Sequence, residues 1–490
     1  MVVATDPMPN PIDKFVNNIT MYRLLLYVLG TTSAFGIVLA FLGVLAYSGP
    51  WLIASCVTLL VSCFVTNRLY VRLYRASENV ESSAITALIL FLILFPPSQA
   101  SDLVLIAFAG FIAMASKFVL AIHNRHVFNP AALAAVVIGF FGWSSGWWVA
   151  NPAMVAIVAV GGLLVVRKTR RFGMMGMFLI GFFAALTVAS PSASWLNAFV
   201  SWPIAFFATI MLTEPLTLPA SRPAQLAEAL IVGALIAVPF HFGPISSTPE
   251  LALLIGNLFA CAFGLKRLYR LRLVEKKELA PGMFDFAFAS DRPAAFRPGQ
   301  YLEWTLPHEK TDARGNRRTL SVASSPTENL VRFGVRIPEN PSSFKRALSV
   351  MEVGDDLFGS NLGGEFVLPR DPSKKLAFVA GGVGITPFRS MVQDLVDRNE
   401  KRDVVILYSA RTEKDFVYVD AFDRAKAVGV RTVCVPGIIP EDRVKAEIPD
   451  FADRAFYLSG PNVMVESYAK MLKTLGVSRR NVHTDYFPGY

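Results

Sequence analysis

Residues 374–398 have the sequence KKLAFVAGGVGITPFRSMVQDLVDR. Within it, KKLAFVA predicts a buried strand, GGVGITP a glycine turn and FRSMVQDLVDR a helix, while DVVILYSAR at residues 403–411 predicts a second strand. A strand, a helix and another strand in this order are typical of a parallel α/β sheet. We therefore predict an α/β nucleotide-binding domain over residues 371–490.

Three glycines of this stretch, Gly381, Gly382 and Gly384, lie between the end of the strand and the start of the helix. Bare backbone amides beside the positive end of a helix bind phosphate groups, so the turn is a candidate site for a dinucleotide pyrophosphate. Its spacing differs from the G-x-G-x-x-G pattern. A glycine turn of this kind is also common as a purely structural feature.

The preceding region, residues 266–370, consists of short alternating segments. They are separated by Gly, Pro and Asn turns and include RLRLVEKKEL, MFDFAFAS, YLEWTLP, RRTLSVAS and VRFGVRIP. Alternation with a period of two in such short segments is typical of antiparallel strands. We predict an antiparallel β-barrel in this region.

The first half of the chain has a membrane-like composition. Residues 1–265 contain 12 Lys and Arg and 8 Asp and Glu, which leaves 35 and 29 of the totals of 47 and 37 for the rest. Charged residues make up 17% of the whole chain, against about 25% in soluble proteins. We predict a membrane domain over residues 1–265. The net charge of +10 is then explained by basic residues at the edges of the membrane. It is therefore not a sign of a nucleic-acid partner.

Ten apolar runs of the first half are candidates for helices that cross about 30 Å of hydrocarbon. With the amino terminus inside, all 12 basic residues fall at cytoplasmic ends, as the positive-inside rule requires. We predict ten spans in a bacterial-type cytoplasmic membrane, with both termini cytoplasmic and the first run retained as an anchor. The runs lie near residues 21–47, 51–66, 83–97, 102–121, 131–147, 149–166, 174–190, 196–213, 225–241 and 250–265.

The third and eighth runs contain proline breaks. The third ends at Pro96 and Pro97, and the eighth ends in ATIMLTEPLTLP with Glu214 and Pro215. Two five-span halves would make these runs counterparts of opposite direction in an inverted repeat, an arrangement that often encloses a ligand or ion site. Glu81 and Glu214 are candidate functional carboxylates, since charge at membrane depth is costly. The alternative is that the prolines only end helices and the carboxylates face lipid headgroups.

Metal and haem sites are not predicted. The four cysteines, Cys56, Cys63, Cys261 and Cys434, contain no CxxC pair, which argues against an iron–sulfur cluster or a disulfide framework. The three histidines of the first half, two of which share one loop, do not supply the facing pairs that two haems require.

Three segments of the first half resemble the membrane subunits of the sodium-pumping NADH:quinone reductase (its B subunit) and of the Rnf complex (its D subunit). They are ESSAITALILFLILFPP at residues 81–97, KFVLAIHNRHVFNPAALAAVV at 117–137 and MLTEPLTLP at 211–219. The resemblance implies flavin in the membrane domain, where we assign Asn129 and Glu214 to a cofactor. The family's S-G-A-T motif for covalent FMN has no counterpart here, so the expected second flavin is noncovalent FMN or riboflavin.

Six ordered motifs of the second half resemble the ferredoxin–NADP reductase family. The resemblance implies a six-stranded FAD-binding barrel over residues 266–370 and a NAD(P)-binding domain over residues 371–490. The motifs are RRTLS (317–321), SSFKRAL (342–348), GGEFVLP (363–369), AGGVGITPFRSM (380–391), YLSGPNVMV (457–465) and the terminal DYFPGY.

The family's R-x-Y-S motif maps to residues 318–321 and implies roles for its members. Arg318 would hold the FAD pyrophosphate, Leu320 takes the place of the aromatic that stacks on the isoalloxazine, and Ser321 would lie near flavin N5, with Thr319 between them. A bidentate guanidinium suits a pyrophosphate. The second phosphate motif appears without its glycine and leaves Ser342 or Ser343 as candidates.

The resemblance implies further contacts around the nicotinamide. Ser459 stands where the family has a cysteine, and Phe487 is the terminal aromatic expected over the flavin, so Ser321, Ser459 and Phe487 are the catalytic candidates. The residues assigned to the dinucleotide are Gly381, Gly382, Gly384, Thr386, Pro387, Ser409, Arg411, Gly460, Pro461 and Met464.

The choice between NADH and NADPH stays open in the sequence. Ser409 and Arg411 follow the second strand of the α/β domain, where a 2′-phosphate would lie. Glu413 and Asp415 are close by and would favour a free ribose hydroxyl.

Together these patterns predict a membrane flavoprotein oxidoreductase. Electrons would pass from cytoplasmic NAD(P)H through FAD into the membrane domain, to a flavin or quinone there or to an acceptor across the membrane. One alternative is a transporter or channel whose flavin domain senses redox state. A second is a simple NAD(P)H:quinone reductase on the cytoplasmic side. Membrane lipid is the expected surrounding partner.

Overall fold

The computed structural model describes residues 16, 19–74, 80–122, 125–219, 221–242, 245–263, 268–309, 311–312 and 314–485. Contacts divide the chain into two compact units. One contains residues 1–266, and the other contains residues 267–312 and 316–487. Phe487, the expected terminal aromatic, lies outside the described residues.

The first unit is built from helices, with two short hairpins between them. The hairpins are β1 (Ala121–Ile122) with β2 (Arg125–His126) and β3 (His241–Phe242) with β4 (Ile245–Ser246). The helices are α1 (Met21–Phe41), α2 (Gly49–Tyr74), α3 (Val80–Ile93), α4 (Asp102–Val119), α5 (Pro130–Gly139), α6 (Val155–Thr169), α7 (Phe172–Ala189), α8 (Trp195–Ser201), α9 (Ile204–Phe206), α10 (Arg222–Ala237) and α11 (Pro249–Phe263).

Among the residues that the structure describes, five helical segments are long and apolar enough to cross a membrane. They are α1, α2, α4, α7, and α6 together with the 3₁₀ turn Pro152–Met154 before it, and they measure 18 to 26 residues. This length agrees with the roughly 20 residues that a membrane helix requires. Shorter apolar helices, α3, α5 and α11, lie where further spans are predicted. The count of ten spans stays a prediction.

The predicted run 131–147 forms a shorter helix than expected, because α5 ends at Gly139. The chain then returns to α3, where the N–H groups of Gly146 and Trp147 donate to the Ile93 carbonyl at 2.9 and 2.8 Å. Pro96 follows the end of α3 and cannot continue the helix, which leaves terminal carbonyls that need donors. The residues after α5 supply these donors instead of extending their own helix.

The predicted run 196–213 is also interrupted. Its helix α8 ends at Ser201, α9 begins after Pro203, and residues Phe207–Met211 continue as a π-helical turn. Pro203 has no N–H to donate, so a continuous helix cannot pass through it. The hydroxyl of Thr209 donates to the Ala205 carbonyl at 2.6 Å and satisfies part of the irregular backbone. π-Helical turns are frequent at functional sites.

Helices α7 and α10 approach each other through glycine. A Cβ atom on Gly181 would lie 2.4 Å from the Leu230 carbonyl oxygen, and one on Gly233 would lie 2.3 Å from the Phe178 carbonyl oxygen. Small residues at such contacts let membrane helices pack backbone against backbone. Substitution at either glycine would force the two helices apart.

The second unit begins with a six-stranded antiparallel sheet in the order β8-β7-β10-β5-β6-β9. Phe286, Phe288, Trp304 and Phe333 fill its core and are fully buried. Closure of this sheet into a barrel stays a prediction. The strands are β5 (Tyr269–Ala280), β6 (Met283–Ser290), β7 (Tyr301–Thr305), β8 (Arg317–Ser321), β9 (Val331–Arg336) and β10 (Asp356–Gly363), with the short helix α12 (Ser343–Ser349) before β10.

A parallel five-stranded sheet follows, in the order β13-β12-β11-β14-β15. The strand, glycine turn and helix expected in residues 374–398 are present as β11, the 3₁₀ turn Gly382–Ile385 and α13. The elements are β11 (Leu376–Gly381), α13 (Thr386–Asp397), β12 (Val404–Ala410), α14 (Val419–Arg424), β13 (Val430–Pro436), α15 (Glu441–Glu447), β14 (Ala455–Ser459), α16 (Asn462–Thr474) and β15 (Val482–Thr484).

Candidate functional site

The carboxyl ends of the central strands β11 and β14 meet at one edge of the parallel sheet. A Cβ atom on Gly384 would lie 2.4 Å from the Ser459 carbonyl oxygen, and the Gly460 backbone packs directly on Gly381. The backbones are therefore in contact at a point where side chains do not fit. In open α/β sheets a ligand binds outside the carboxyl ends of the strands, where the connections diverge to the two sides.

Gly382 differs from the packed glycines because it faces open space. Its φ is +53°, and among the described residues no atom beyond its chain neighbours lies within 4 Å of the position that a Cβ atom would take. The first residues of α13, Thr386 and Pro387, follow this turn, and the Thr386 hydroxyl donates to the Val383 carbonyl at 3.0 Å. An open glycine turn leading into a helix amino terminus fits the pyrophosphate of a dinucleotide.

Asp485 connects the two catalytic serine candidates. The hydroxyls of Ser321 and Ser459 both donate to Asp485 Oδ2 at 3.2 Å, and both serines are buried. Ser321 ends β8 of the antiparallel sheet and Ser459 ends β14 of the parallel sheet. The structure thus brings the ends of both sheets to one carboxylate.

The environment of Asp485 changes its proton affinity. Burial raises the pKa of the carboxyl from its usual acidic value to about 7, against the hydrogen bonds from Ser459 and Ser321, which lower it. A group with this pKa holds or releases a proton near neutral pH. The sequence signal for Asp485 was its position at the start of the DYFPGY motif, but we did not select it as a site residue.

The expected flavin-phosphate residues lie around a second carboxylate, Asp312. The Arg318 guanidinium stacks 5.1 Å from the centre of the Phe344 ring and places Nη2 3.8 Å from Asp312 Oδ1. The Ser343 N–H donates to Asp312 Oδ2 at 3.0 Å. Ser342 caps α12 and accepts from the Lys345 N–H at 3.4 Å. An arginine and a serine amide converging on carboxylate oxygens form a cradle that fits phosphate.

Thr319 and Leu320 are the middle residues of the segment that matches the R-x-Y-S motif, and both lie in strand β8 where it pairs with strand β7. Thr319 pairs with Glu303 and Leu320 with Leu302, and the Leu320 carbonyl accepts from the Trp304 indole N–H at 3.1 Å. Both side chains are partly exposed. Leu320 thus presents an aliphatic surface at the position where an aromatic was expected from the resemblance.

Of the residues expected to select between NADH and NADPH, Ser409 and Asp415 form hydrogen bonds within the domain, whereas Arg411 and Glu413 are exposed. The Ser409 hydroxyl donates to the Gly437 carbonyl at 2.6 Å, and Asp415 accepts from the Thr412 N–H and hydroxyl at 3.1 and 2.9 Å in a capping box. Asp415 is buried and stabilises its own turn, and its effect on the choice between NADH and NADPH stays a prediction. Arg411 and Glu413 have exposed side chains.

The remaining dinucleotide candidates lie around the same strand ends. Met464 contacts Gly381, because a Cβ atom there would lie 2.1 Å from the Met464 sulfur, and Pro461 lies 3.2 Å from the same position. Gly460 has a φ of +154° and lies between these groups. These three residues form one wall of the crevice at the ends of β11 and β14.

In the first unit, Asn129 and Glu214 lie in one polar cluster. Asn129 Nδ2 donates to Glu214 Oε2 at 2.8 Å, and Glu214 Oε1 lies 3.0 Å from His126 Nε2. The Asn129 N–H donates to Asn257 Oδ1 at 2.8 Å, while its side-chain oxygen caps α5 by accepting from the Ala132 N–H at 3.0 Å. Glu81 is bonded elsewhere and pairs with Arg23 at 3.1 Å.

This polar cluster borders a cavity inside the first unit that is partly open to its surroundings. Lys117, which we did not select from the sequence, lines it and donates to the Ser82 hydroxyl at 3.0 Å and to the Thr86 hydroxyl at 2.7 Å. A lysine within an apolar run was the available signal. Apolar walls come from Met21, Leu25, Ile85, Ile89, Val165 and Ile210.

The second unit therefore combines an antiparallel sheet that carries the candidate phosphate cradle with a parallel α/β sheet that carries the candidate dinucleotide site. The sequence model of the oxidoreductase NAD-binding domain family matches residues 378–470, which span the central strands and the glycine turn. This part of the chain is therefore similar to the NAD-binding domains of oxidoreductases.

Three relatives extend the comparison. The chain is 25% identical over 235 residues to the phenol hydroxylase P5 protein of Acinetobacter pittii, covering 45% of this chain and 65% of the relative. It is 25% identical over 223 residues to the glycine betaine monooxygenase reductase subunit of Chromohalobacter salexigens, covering 41% and 59%. It is 31% identical over 202 residues to the F subunit of the Na(+)-translocating NADH-quinone reductase of Neisseria meningitidis serogroup B, covering 35% and 49%.

The chain thus spans between about half and two thirds of the length of these relatives. Together with the family match, these similarities support a reductase module that binds FAD and NAD in the second half.

Proposed function

We propose that this protein is a membrane flavoprotein oxidoreductase that takes electrons from cytoplasmic NADH or NADPH and delivers them to an acceptor in or across the membrane. The observation that carries the proposal is that the hydroxyls of Ser321 and Ser459 both donate hydrogen bonds to Asp485. It places the end of the flavin-type sheet beside the end of the dinucleotide-binding sheet. A reductase needs its two redox rings to meet at such a place.

The residues of the second unit have separate tasks in this proposal. Arg318 and Ser343 bind the FAD phosphates, and the open turn at Gly382 with the start of α13 binds the dinucleotide pyrophosphate. Asp485 orients both serine hydroxyls and takes up or releases a proton near neutral pH. FAD, when bound, accepts two electrons together and releases them singly.

For the first unit, we propose that the cavity beside Asn129 and Glu214 binds a redox ring, either noncovalent FMN, riboflavin or a quinone. An amide, a carboxylate and the Lys117 ammonium at the border of the cavity can pair with ring carbonyl and N–H groups, while the aliphatic walls contact the ring faces. The ten spans, the inverted repeat and the cytoplasmic termini belong to the same proposal.

The cavity also supports the second candidate, a transporter or channel regulated by its flavin module. Charged side chains that border a cavity within membrane helices often mark an ion or substrate path. In that case the cavity would bind a solute without redox chemistry.

The decisive experiment is anaerobic titration of the purified full-length chain with NADH and with NADPH, together with the flavin extracted per chain. Bleaching of the FAD spectrum followed by reduction of a second flavin or an added quinone supports electron transfer. Binding of FAD without reduction by either nucleotide would refute the oxidoreductase. Reduction of FAD alone, with no passage to a quinone or a second flavin, would favour the transporter.

A further inference from the structure

Asp312 occupies the phosphate cradle described above. It lies in the connection between β7 and β8, six residues before Arg318. Its carboxylate accepts a hydrogen bond from the Ser343 N–H at 3.0 Å, and its own N–H donates to the Ser343 hydroxyl at 3.0 Å. The two residues therefore satisfy each other through a reciprocal pair of hydrogen bonds.

The carboxylate also approaches the residue expected to hold the flavin pyrophosphate. Asp312 Oδ1 is 3.8 Å from Arg318 Nη2, and the side chains are 29% and 15% exposed. The guanidinium also lies within cation–π distance of the Phe344 ring, and its Nη1 donates to the Arg317 carbonyl at 2.5 Å. The Asp312 carboxylate thus directs one oxygen to the Arg318 guanidinium and the other to the Ser343 N–H, the two groups that a phosphate would use.

We propose that Asp312 is an internal competitor for the flavin phosphates, so that FAD must displace the carboxylate from Ser343 and Arg318 in order to bind. This inference rests on the proposed function, in which Arg318 and Ser343 bind FAD. Two anions cannot share the cradle, because a phosphate beside an unmoved carboxylate would meet like-charge repulsion. Asp312 therefore acts as a gate that responds to the phosphate part of the flavin.

The competing Asp312 carboxylate lowers the apparent affinity of the protein for FAD. If only a fraction of the molecules has Asp312 displaced, the measured dissociation constant is the intrinsic constant divided by that fraction. A partly exposed ion pair with its hydrogen bond corresponds to a change of roughly 3- to 10-fold. Riboflavin has no phosphate and does not need the cradle, so its affinity is independent of the gate.

The test compares Asp312→Asn with the wild type in the full-length chain after removal of flavin. FAD binding is followed by quenching of flavin fluorescence, and the affinity of riboflavin for the same site is measured by the amount of bound FAD that it displaces, read by chromatography. Asparagine keeps an acceptor for the Ser343 N–H and removes the charge. We expect FAD to bind roughly 3- to 10-fold more tightly and riboflavin to bind as in the wild type.

Asp355→Asn is the matched control. Asp355 also accepts a loop N–H, from Glu352 at 2.9 Å, and lies directly before β10 of the same sheet, whereas the cradle is built from Asp312, Arg318 and Ser343. The FAD affinity of this control should equal that of the wild type. An Asp312→Asn affinity for FAD that is unchanged or weaker overturns the inference, and so does an equal gain for riboflavin.

Arg318→Ala separates this outcome from a failure of the proposed function. If Arg318→Ala weakens FAD binding while Asp312→Asn does not strengthen it, the flavin site stands and the competitor is wrong. If Arg318→Ala leaves FAD binding unchanged, both the flavin site and the competitor are wrong.

Discussion

The Tyr418 hydroxyl donates a hydrogen bond to Asp285 Oδ1 at 2.7 Å and thereby connects the parallel sheet region to strand β6 of the antiparallel sheet. Asp285 is buried and also accepts from Arg332 at 2.7 Å. Burial and the neighbouring Asp285 carboxylate raise the pKa of Tyr418 well above its usual value, so the phenol stays protonated and can donate. Gly334 makes room, because a Cβ atom there would lie 2.8 Å from the Tyr418 oxygen.

This contact predicts the outcome of a double-mutant cycle. Tyr418→Phe should destabilise the protein by about 1–3 kcal/mol, because a buried carboxylate loses a donor. Gly334→Ala should also destabilise it, but less when Tyr418 is already Phe, since the Tyr418 oxygen is gone and only the Thr386 methyl group, also 2.8 Å from the added Cβ, still clashes. Thermal unfolding of the second half followed by tryptophan fluorescence measures both. Strictly additive losses would contradict the close approach of the Tyr418 oxygen to Gly334.

Asp485 predicts a pH dependence of reductase activity. Because the folded pKa is about 7, wild-type turnover of NAD(P)H with ferricyanide should change with an inflection near that pH. Asp485→Asn should remove the inflection. Asp450→Asn is the control, since the hydrogen bonds from Arg454 and Lys375 hold the pKa of Asp450 far below neutral. An inflection that persists in Asp485→Asn would assign it to another group.

The same residue predicts the pH dependence of stability. The folded-state pKa is raised above the unfolded value of 3.8, so the folded state binds more protons between pH 4 and 7. The stabilising contribution is fully present below about pH 4 and is lost as the pH rises through 7. Relative to Asp485→Asn, the wild type should therefore become less stable over this range, as measured by thermal unfolding. An opposite slope would contradict the raised pKa.

The second half should function without the membrane unit. Residues 266–490 expressed alone are expected to bind FAD and to reduce ferricyanide with NADH or NADPH, since both sheets and the Asp485 contacts belong to this part. Absorbance of the purified fragment and steady-state assays measure this. A folded fragment, shown by circular dichroism, that lacks the activity would contradict the assignment.

Arg318 should contribute directly to flavin affinity. Arg318→Ala is expected to weaken FAD binding by about 1.5–3 kcal/mol, because a charge-assisted phosphate contact is lost. Arg318→Lys should recover only part of it, since an ammonium cannot bind two oxygens in the same planar way or stack as well on Phe344. Superimposable FAD titrations of wild type and Arg318→Ala would show that the motif is misassigned.

The cavity of the first unit predicts separable effects. Asn129→Leu and Glu214→Leu each remove one partner of the 2.8 Å hydrogen bond between these side chains. Each variant should weaken the binding of the membrane ligand by about 1–3 kcal/mol, because a buried polar group loses its partner. Extractable flavin and NAD(P)H-driven quinone reduction should fall. Ferricyanide reduction by the second half should stay unchanged and serves as the internal control. Unaltered flavin content and quinone rates would favour the transporter.

Glu214→Gln is the matched variant, since it keeps the side-chain length and an acceptor for Asn129 while removing the charge. If the cavity needs only hydrogen bonding, this variant should retain more ligand than Glu214→Leu. Equal losses in the two variants would show that the charge itself is required.

Local patterns determined several features from the sequence alone. The strand, glycine turn and helix over residues 376–397 follow from a buried apolar run, three glycines and helical periodicity within a few neighbouring positions. The low charge of residues 1–265 likewise indicates a membrane domain without knowledge of any contact.

Only the tertiary structure decided which distant groups meet. Ser321 lies 164 positions from Asp485, and Asn129 lies 85 from Glu214, so neither contact leaves a trace in local periodicity. The early end of α5 also depends on a distant contact. The apolar run continues past Gly139, but the Trp147 N–H donates to the Ile93 carbonyl at the end of α3 and does not extend α5. Composition and periodicity fix local conformation, but the pairing of buried polar groups depends on how elements far apart in the chain pack together.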